Sequence, residues 1–367
     1  MKIKKIRVKN FRNIEECEID FSEGVNLLYG NNAQGKTNVI ESVYIFSRGR
    51  SFRAKEDSDL IRFGEEGFNI YIDYESKLGN ESLEYSLFGK ERQRKKNGYK
   101  LKKVSEMIGS FRSVLFYPDD LGLVKDGPDK RREFLNIAVS QCDNSYIKNY
   151  SDYKKALENR NCLLKMINKG FYVEKAEIES WSESLAEYAS FIYISRKDFI
   201  KKLGVYTEAF MKDISGGKEK IEISLSSDIL EESEKREEIK EIYKQKFKSE
   251  LDREIAAGVT LFGPHRDDIK IILNGKEARL FSSQGQQRSI VLSLKLAEGE
   301  VIREISGEYP VFLLDDVLSE LDRERKKYVL SELHGRQVII TTCDENDFKG
   351  ISNAKKIYVE NGTYSYQ

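Results

Sequence analysis

The chain has 367 residues, enough for one large domain or two to three smaller ones. Its 62 Lys and Arg balance 62 Asp and Glu, which argues against a surface that meets polyanions everywhere and leaves room for a local basic patch. Cys17, Cys142, Cys162 and Cys343 form no C-x-x-C pair and the only histidines are His265 and His334, which speaks against a structural zinc site or a disulfide framework and for reduced thiols. No apolar run approaches a membrane span, and the basic N-terminus has no signal-peptide core, so a cytoplasmic protein with no membrane partner is expected.

Residues 2–9 alternate, with Ile3, Ile6 and Val8 among Lys and Arg; residues 14–21 do the same with Ile14, Cys17, Ile19 and Phe21. They read as two strands joined by a turn at Asn10-Phe11-Arg12-Asn13. Residues 24–29 read as a buried strand, which runs into GNNAQGKT at 30–37, a match to the phosphate-binding loop. Gly30 and Gly35 allow a tight turn, so that consecutive N–H groups of Asn31, Asn32, Ala33 and Gln34 can point at phosphate oxygens. Lys36 supplies a point charge for the outer phosphates and Thr37 a hydroxyl for Mg²⁺. The helix that leaves the loop, through Asn38 to Phe46, turns its positive dipole end toward them.

Residues 47–53 form a basic loop with Arg48, Arg50 and Arg53. It can reach phosphates of a nucleotide or of DNA, or be a solvated loop. Residues 67–101 alternate as strands, with Phe68, Ile70 and Ile72, then Leu83, Tyr85 and Leu87. Within residues 90–103, eight of fourteen are basic and one is acidic. A hairpin turned at Asn97-Gly98 would project Arg92, Arg94, Lys95, Lys96, Lys100, Lys102 and Lys103 together, either as a DNA-backbone contact or as a solvated face. Residues 111–123 are an apolar stretch ending in a Pro-Asp-Asp helix start, and Pro128 and Asp129 suit the first turn of the next helix.

From about residue 136 to 251 the character is helical, with no proline. Tyr150, Tyr153, Leu157, Leu164 and Ile167, then Ile178, Trp181, Leu185, Tyr188 and Ile192, recur at three and four. Asn168-Lys169-Gly170 breaks the two helices, and residues 221–225 interrupt with a strand-like alternation. The insert is a short arm rather than a filament, with a compact helical domain and a projecting coiled coil both open. After residue 258 strands return: 259–262 running into the turn GPHRDD at 263–268, 269–273 closed by Asn274-Gly275, 310–316, 337–342, and two pieces at 356–360 and 362–366. A long helix through Glu304 follows FSSQGQQR at 281–288. The strand PVFLLDD ends in Asp315 and Asp316. Adjacent carboxylates there repel each other, a conflict that a metal beside a phosphate resolves. Asp315 can hold Mg²⁺ through water, and Asp316 stands where a base would polarise an attacking water.

SSQGQQR at 282–288 is similar to the signature of ABC-type ATPases, and SELD at 319–322 to the loop after their acidic strand. The order of motifs, with helices inserted between the two halves, resembles the SMC-like DNA-repair ATPases. Among these the chain most resembles the RecF family, on NFRN (10–13), GNNAQGKTN (30–38), GRSFR (49–53), PDDLGLVKDGPDKRR (118–132), GPHRDD, SSQGQQR and LLDDVLSELD (313–322). The resemblance implies an α/β fold, an ABC/SMC-like P-loop ATPase head of two lobes with mixed sheets, split as 1–135 and 256–367, carrying an inserted α-helical arm at 136–255. It implies ATP and Mg²⁺ as cofactors and an ATP-dependent homodimer, with Ser283, Gly285 and Gln286 of one copy facing the nucleotide of the other. It further implies a clamp on duplex DNA near single-strand gaps. RecR and RecO would act with it to load RecA in repair, replication and the SOS response, with weak, DNA-stimulated ATP hydrolysis as the release.

Two departures stand out. Many relatives end the acidic strand in Asp-Glu, where this chain has Asp315-Asp316, consistent with slow hydrolysis. Many carry a switch histidine after the next strand; here Thr341-Thr342-Cys343-Asp344 has none, and Thr342 is the first candidate for that role rather than His265. A transporter ATPase subunit fits poorly with the helical insert and basic hairpin. A long-armed SMC or zinc-hook protein needs a far longer arm or a C-x-x-C. A nuclease-fused ATPase needs a further acidic cluster.

Overall fold

The computed structural model describes residues 1–229, 233, 235–343 and 354–366. The two N-terminal alternating segments are β1 (Lys2–Phe11) and β2 (Ile14–Asp20), antiparallel, with Ile6 opposite Ile19 and Val8 opposite Cys17. β3 (Val25–Tyr29) leads through the glycine loop into α1 (Lys36–Arg48), which Gly49 ends in the left-handed conformation. β4 (Gly67–Ser76), β5 (Gly79–Phe88), β6 (Glu91–Lys96) and β7 (Tyr99–Lys100) then extend the first pair into a six-stranded sheet, order β2-β1-β4-β5-β6-β7. Asn97 and Gly98 turn the last hairpin at φ 51° and 81°, the left-handed pair that a two-residue hairpin favours.

β8 (Ser113–Phe116) is followed by α2 (Gly122–Lys125) and α3 (Pro128–Cys142), which Pro128 opens at a position where its missing N–H costs nothing. The insert comprises α4 (Asn144–Asn168), α5 (Lys175–Ile214), β9 (Ile221–Ser226), α6 (Arg236–Ser249) and α7 (Leu251–Ala257). Asp143 caps α4 by accepting from the Ser145 N–H. The chain closes with β10 (Asp268–Leu273), β11 (Lys276–Glu277), α8 (Ala278–Phe281), α9 (Gln284–Ser306), β12 (Val311–Asp315), α10 (Arg323–Glu332), β13 (Val338–Thr342), β14 (Lys355–Glu360) and β15 (Thr363–Tyr366).

A second six-stranded sheet has the order β15-β14-β3-β13-β12-β8 and is parallel except for the β14–β15 hairpin. Both of its faces are covered, so its strands are apolar runs rather than alternations. Leu27, Phe116, Leu314 and Ile340 join the core formed with α3, α4, α5 and α9. Leu28, Leu115, Leu313 and Ile339 join the core formed with α1 and the first sheet. α1 touches both six-stranded sheets and is buried nearly all round, with the polar Glu41, Ser42 and Ser47 covered along with Val39, Ile40, Val43, Tyr44, Ile45 and Phe46.

α5, forty residues and therefore roughly 60 Å long, packs on α4 and α6 and also along α9. Leu185, Ile192, Phe199 and Leu203 of the insert share one core with Ile290, Leu294 and Val301 of α9. Near the α4–α5 turn Leu163, Leu164 and Ile178 form a small cluster of their own. A three-stranded sheet, β11-β10-β9, adds a second tie, with Ile223 of the insert opposite Ile271.

Candidate nucleotide site

The parallel pairing β3–β13–β12 sets the C-terminal ends of three strands along one edge, beside the start of α1. Gly30 lies at φ 147°, and a Cβ on it would stand 2.2 Å from the Val359 carbonyl oxygen, so glycine is required where β14 passes. Asn31, Asn32 and Ala33 are exposed at the loop crest, with Ala33 at φ 64°. Lys36 is 7% exposed, and its ammonium donates to the carbonyls of Gly30 and Asn31, both at 2.7 Å. A buried ammonium must find acceptors, and here the loop itself supplies them. α1 starts at Gly35 with no side-chain cap and no acid in its first turn. Its leading N–H groups and positive dipole end are therefore left for an anion. Cradle, lysine and uncapped helix together fit the phosphates of a nucleotide.

Asp315 closes the other side. Its Oδ1 accepts from Thr37 Oγ1 and from Thr341 Oγ1, each at 2.8 Å. Burial pushes its carboxyl up from the ordinary value, and the two hydroxyls and the Arg53 charge pull it back. Asp316 differs from its neighbour: it is half-buried, takes the left-handed conformation at φ 53°, and donates its N–H to Thr341 Oγ1 at 3.0 Å. Thr341 thus braces both acidic residues. Thr37 and Asp315 offer a hydroxyl and a carboxylate at one point, a donor set that suits Mg²⁺.

A further layer fixes this edge. Asn13 donates to the Ala33 carbonyl at 3.2 Å and accepts from Asn38 Nδ2 at 2.6 Å. Glu41, fully buried on α1, receives Arg12 through two bonds of 3.0 and 2.8 Å and also the Ser51 hydroxyl. From the C-terminal hairpin, Gly362 N–H donates to the Gln34 carbonyl at 3.0 Å, Asn361 N–H to Gln34 Oε1 at 2.5 Å, and the Tyr364 hydroxyl to the Gly35 carbonyl at 3.3 Å. Cys343 donates to Asn32 Oδ1 at 2.7 Å and lies 3.7 Å from the Lys36 ammonium. Sequence reasoning gave no site role to Thr341, Cys343 or the hairpin. Thr342, its candidate for phosphate sensing, is buried at the end of β13, and Asp344 lies outside the described residues.

The signature residues lie at the start of α9. Ser283 is the exposed N-cap, its Oγ accepting from Gln286 N–H while Gln286 Oε1 accepts from Ser283 N–H. Gln286 also donates to Glu219, and Arg325 of α10 donates to the Gly285 carbonyl at 3.1 Å. Among the described residues no hydrogen bond joins residues 282–288 to the loop at 30–38 of the same chain.

The basic hairpin is largely neutralised. Arg92 pairs with Asp57 at 2.6 Å, Lys95 with Glu84 at 3.0 Å, Lys96 with Glu81 at 2.7 Å and Lys100 with Glu91 at 3.9 Å. Arg94 lies over the Tyr85 ring, 4.5 Å from its centre. Lys102 and Lys103 are exposed.

Fold and site together define a P-loop ATPase head of the ABC/SMC type. Residues 2–365 match the family described as RecF/RecN/SMC N terminal domain. The DNA replication and repair protein RecF of Thermoanaerobacter sp. (strain X514) is 40% identical over 351 residues, covering 95% of this chain and 96% of that protein. That of Clostridium acetobutylicum is 40% identical over 365 residues, covering 99% of each. Among solved structures, the recombination mediator protein RecF with ATP, of the RecFOR pathway, superposes with a TM-score of 0.92 at 38% identity, covering 100% of this chain and 97% of that one. The Smc head domain of Pyrococcus furiosus shares the fold, with a TM-score of 0.57 at 18% identity, covering 100% and 96%. The chain belongs to the RecF family, and the SMC-like head with mixed sheets and inserted helices expected from the sequence is the fold found. Among the described residues no helix is long and apolar enough to cross a membrane.

Proposed function

We propose that the chain is an ATP-operated, DNA-binding switch of DNA replication and repair. One observation carries the reading: Thr37 and Asp315, far apart in sequence, meet at one carboxylate oxygen beside a loop that wraps a buried lysine. Gly30 to Asn38 hold the triphosphate, Thr37 and Asp315 hold Mg²⁺, and Asp316 orients the water that attacks. Bound Mg²⁺ supplies positive charge beside the terminal phosphate. Ser283 is exposed at the start of α9, and among the described residues nothing there bonds to this chain's own phosphate loop, so Ser283, Gly285 and Gln286 serve the nucleotide of a second copy. The product is an ATP-dependent homodimer that holds duplex DNA near single-strand gaps, in the cytoplasm, with RecR and RecO acting toward RecA loading and the SOS response. Hydrolysis is slow and DNA-stimulated, and it releases the DNA.

In this reading the head is 1–135 and 256–367 and the arm 136–255. The cuts fall inside α3 and α7, so the division is one of roles along a shared core. DNA contact through residues 92–103 rests chiefly on Lys102 and Lys103, since most of the other cations there are paired.

Sedimentation of the full chain with and without ATP and duplex DNA tests the whole reading. Wild type dimerises only with ATP and then carries DNA. Ser283→Arg binds ATP as a monomer and does not dimerise; loss of monomer binding would place the signature in cis and defeat the sandwich.

A further inference from the structure

At the far end of α1 from the nucleotide loop, roughly 20 Å along the helix, lies a cavity of 330 Å³. Arg48 enters it from the end of α1, Arg50 from the loop that follows, Asp129, Arg132 and Glu133 from α3, and Tyr150 and Lys154 from α4. Four cations thus face two carboxylates. Glu133 Oε1 is shared between Arg48 and Arg50. Arg132 pairs with Asp129 and donates to the Asp267 carbonyl at 2.9 Å. Lys154 sits 4.9 Å over the Tyr150 ring, and no carboxylate pairs with it among the described residues. The Arg48 side chain is only 10% exposed, and its Nε is buried without a hydrogen-bond partner.

In the β6–β7 hairpin Arg92, Lys95, Lys96 and Lys100 each have an acid of their own, whereas here Arg48 and Arg50 share Glu133 and, among the described residues, Lys154 has none. Cations of one sign in a concave wall focus the potential and repel one another. A buried, unmade N–H bond adds its own cost. A tetrahedral dianion relieves both, because guanidinium forks match phosphate oxygens. We propose that this cleft seats a phosphate group, either a backbone phosphate of DNA or free phosphate. The first source rests on the DNA-binding reading above; the second does not.

Arg50 is 68% exposed and Lys154 is exposed, so Arg50→Gln with Lys154→Gln leaves the core intact, which unchanged ATP binding verifies. Duplex binding by the ATP-loaded full chain is measured across salt concentrations, and melting with added inorganic phosphate is compared between wild type and the double variant. The nucleotide loop is common to both proteins, so only the difference between them reports on the cleft. A DNA-backbone seat lowers the variant's DNA affinity several-fold and its salt slope by about one for each phosphate no longer neutralised. A phosphate-induced stabilisation that only wild type shows, with DNA binding unchanged, assigns the cleft to free phosphate. Neither difference, in a wild type that binds DNA, overturns the proposal and spares the DNA-binding reading. A wild type that binds no DNA sinks that reading instead, and the melting difference alone then decides the cleft.

Discussion

The phosphate loop and the β6–β7 hairpin are both short, charged stretches that stand out in the sequence, and the fold treats them in opposite ways. Among the described residues, the loop's one cation, Lys36, is buried and bonds to backbone carbonyls and a thiol with no carboxylate. The hairpin's cations meet Asp57, Glu81, Glu84 and Glu91, mostly from neighbouring strands. A charge with no counter-charge is available to a ligand, whereas a paired surface charge contributes little beyond solubility. What separates a binding motif from a charge run is therefore which acids the tertiary fold lays beside it.

The largest break in this comparison comes from Lys36→Met. ATP affinity falls by about 100-fold, the scale of a missing charge-assisted bond, while the fold stays because no buried acid is orphaned. Calorimetric ATP binding checks it, and near-wild-type affinity would remove the loop from the site. Gly30→Ala comes next. Its Cβ collides with the Val359 carbonyl and its backbone is left-handed, so thermal unfolding should show a loss of about 3 kcal/mol. In the hairpin the expected effects are smaller. Replacing Lys102 and Lys103 by Gln lowers the DNA salt slope by up to about one per phosphate each had neutralised, and replacing Arg92, Arg94, Lys95 and Lys96 lowers it less. A larger effect from these four, three of them ion-paired, would overturn the contrast.

A separate effect, read only against pH, belongs to a motif whose charge burial has removed. His265 is held down to about 4, chiefly by burial, with its ring between the Tyr153 hydroxyl at 2.6 Å and the Thr260 carbonyl at 3.1 Å. The unfolded chain takes up this proton first, so the contribution is complete above the free value of about 6.5 and is lost as pH falls toward 4. His265→Gln flattens that part of the melting-temperature profile; an unchanged acid slope would assign it to other groups.

The local parts of the site were legible. Strand, glycine loop and helix follow one another within residues 25–48, and the Asn97-Gly98 turn declares itself. The acidic strand could be read from VFLLDD, yet its partner Thr341 could not, because nothing in QVIITT marks one threonine as facing Asp315. The stripe through Ile178 and Ile192 identified the buried side of α5 without identifying α9 as what covers it. Pairing of the hairpin cations was illegible for the same reason: strand neighbours depend on register, which short-range spacing does not give.

The closure of the glycine loop by β14 has a consequence for synthesis. Gly30 leaves the ribosome about 330 residues before Val359, the residue whose carbonyl it must abut, and Gln34 waits as long for Gly362. At roughly 5 to 20 residues per second, the first strands and helix stay unfinished for about 15 to 65 seconds. Their central strand β3 lacks both neighbours, β13 and β14, for nearly all of that time. A nascent chain of this family therefore exposes an apolar parallel edge through most of its translation, and chaperone occupancy should persist until the final hairpin emerges.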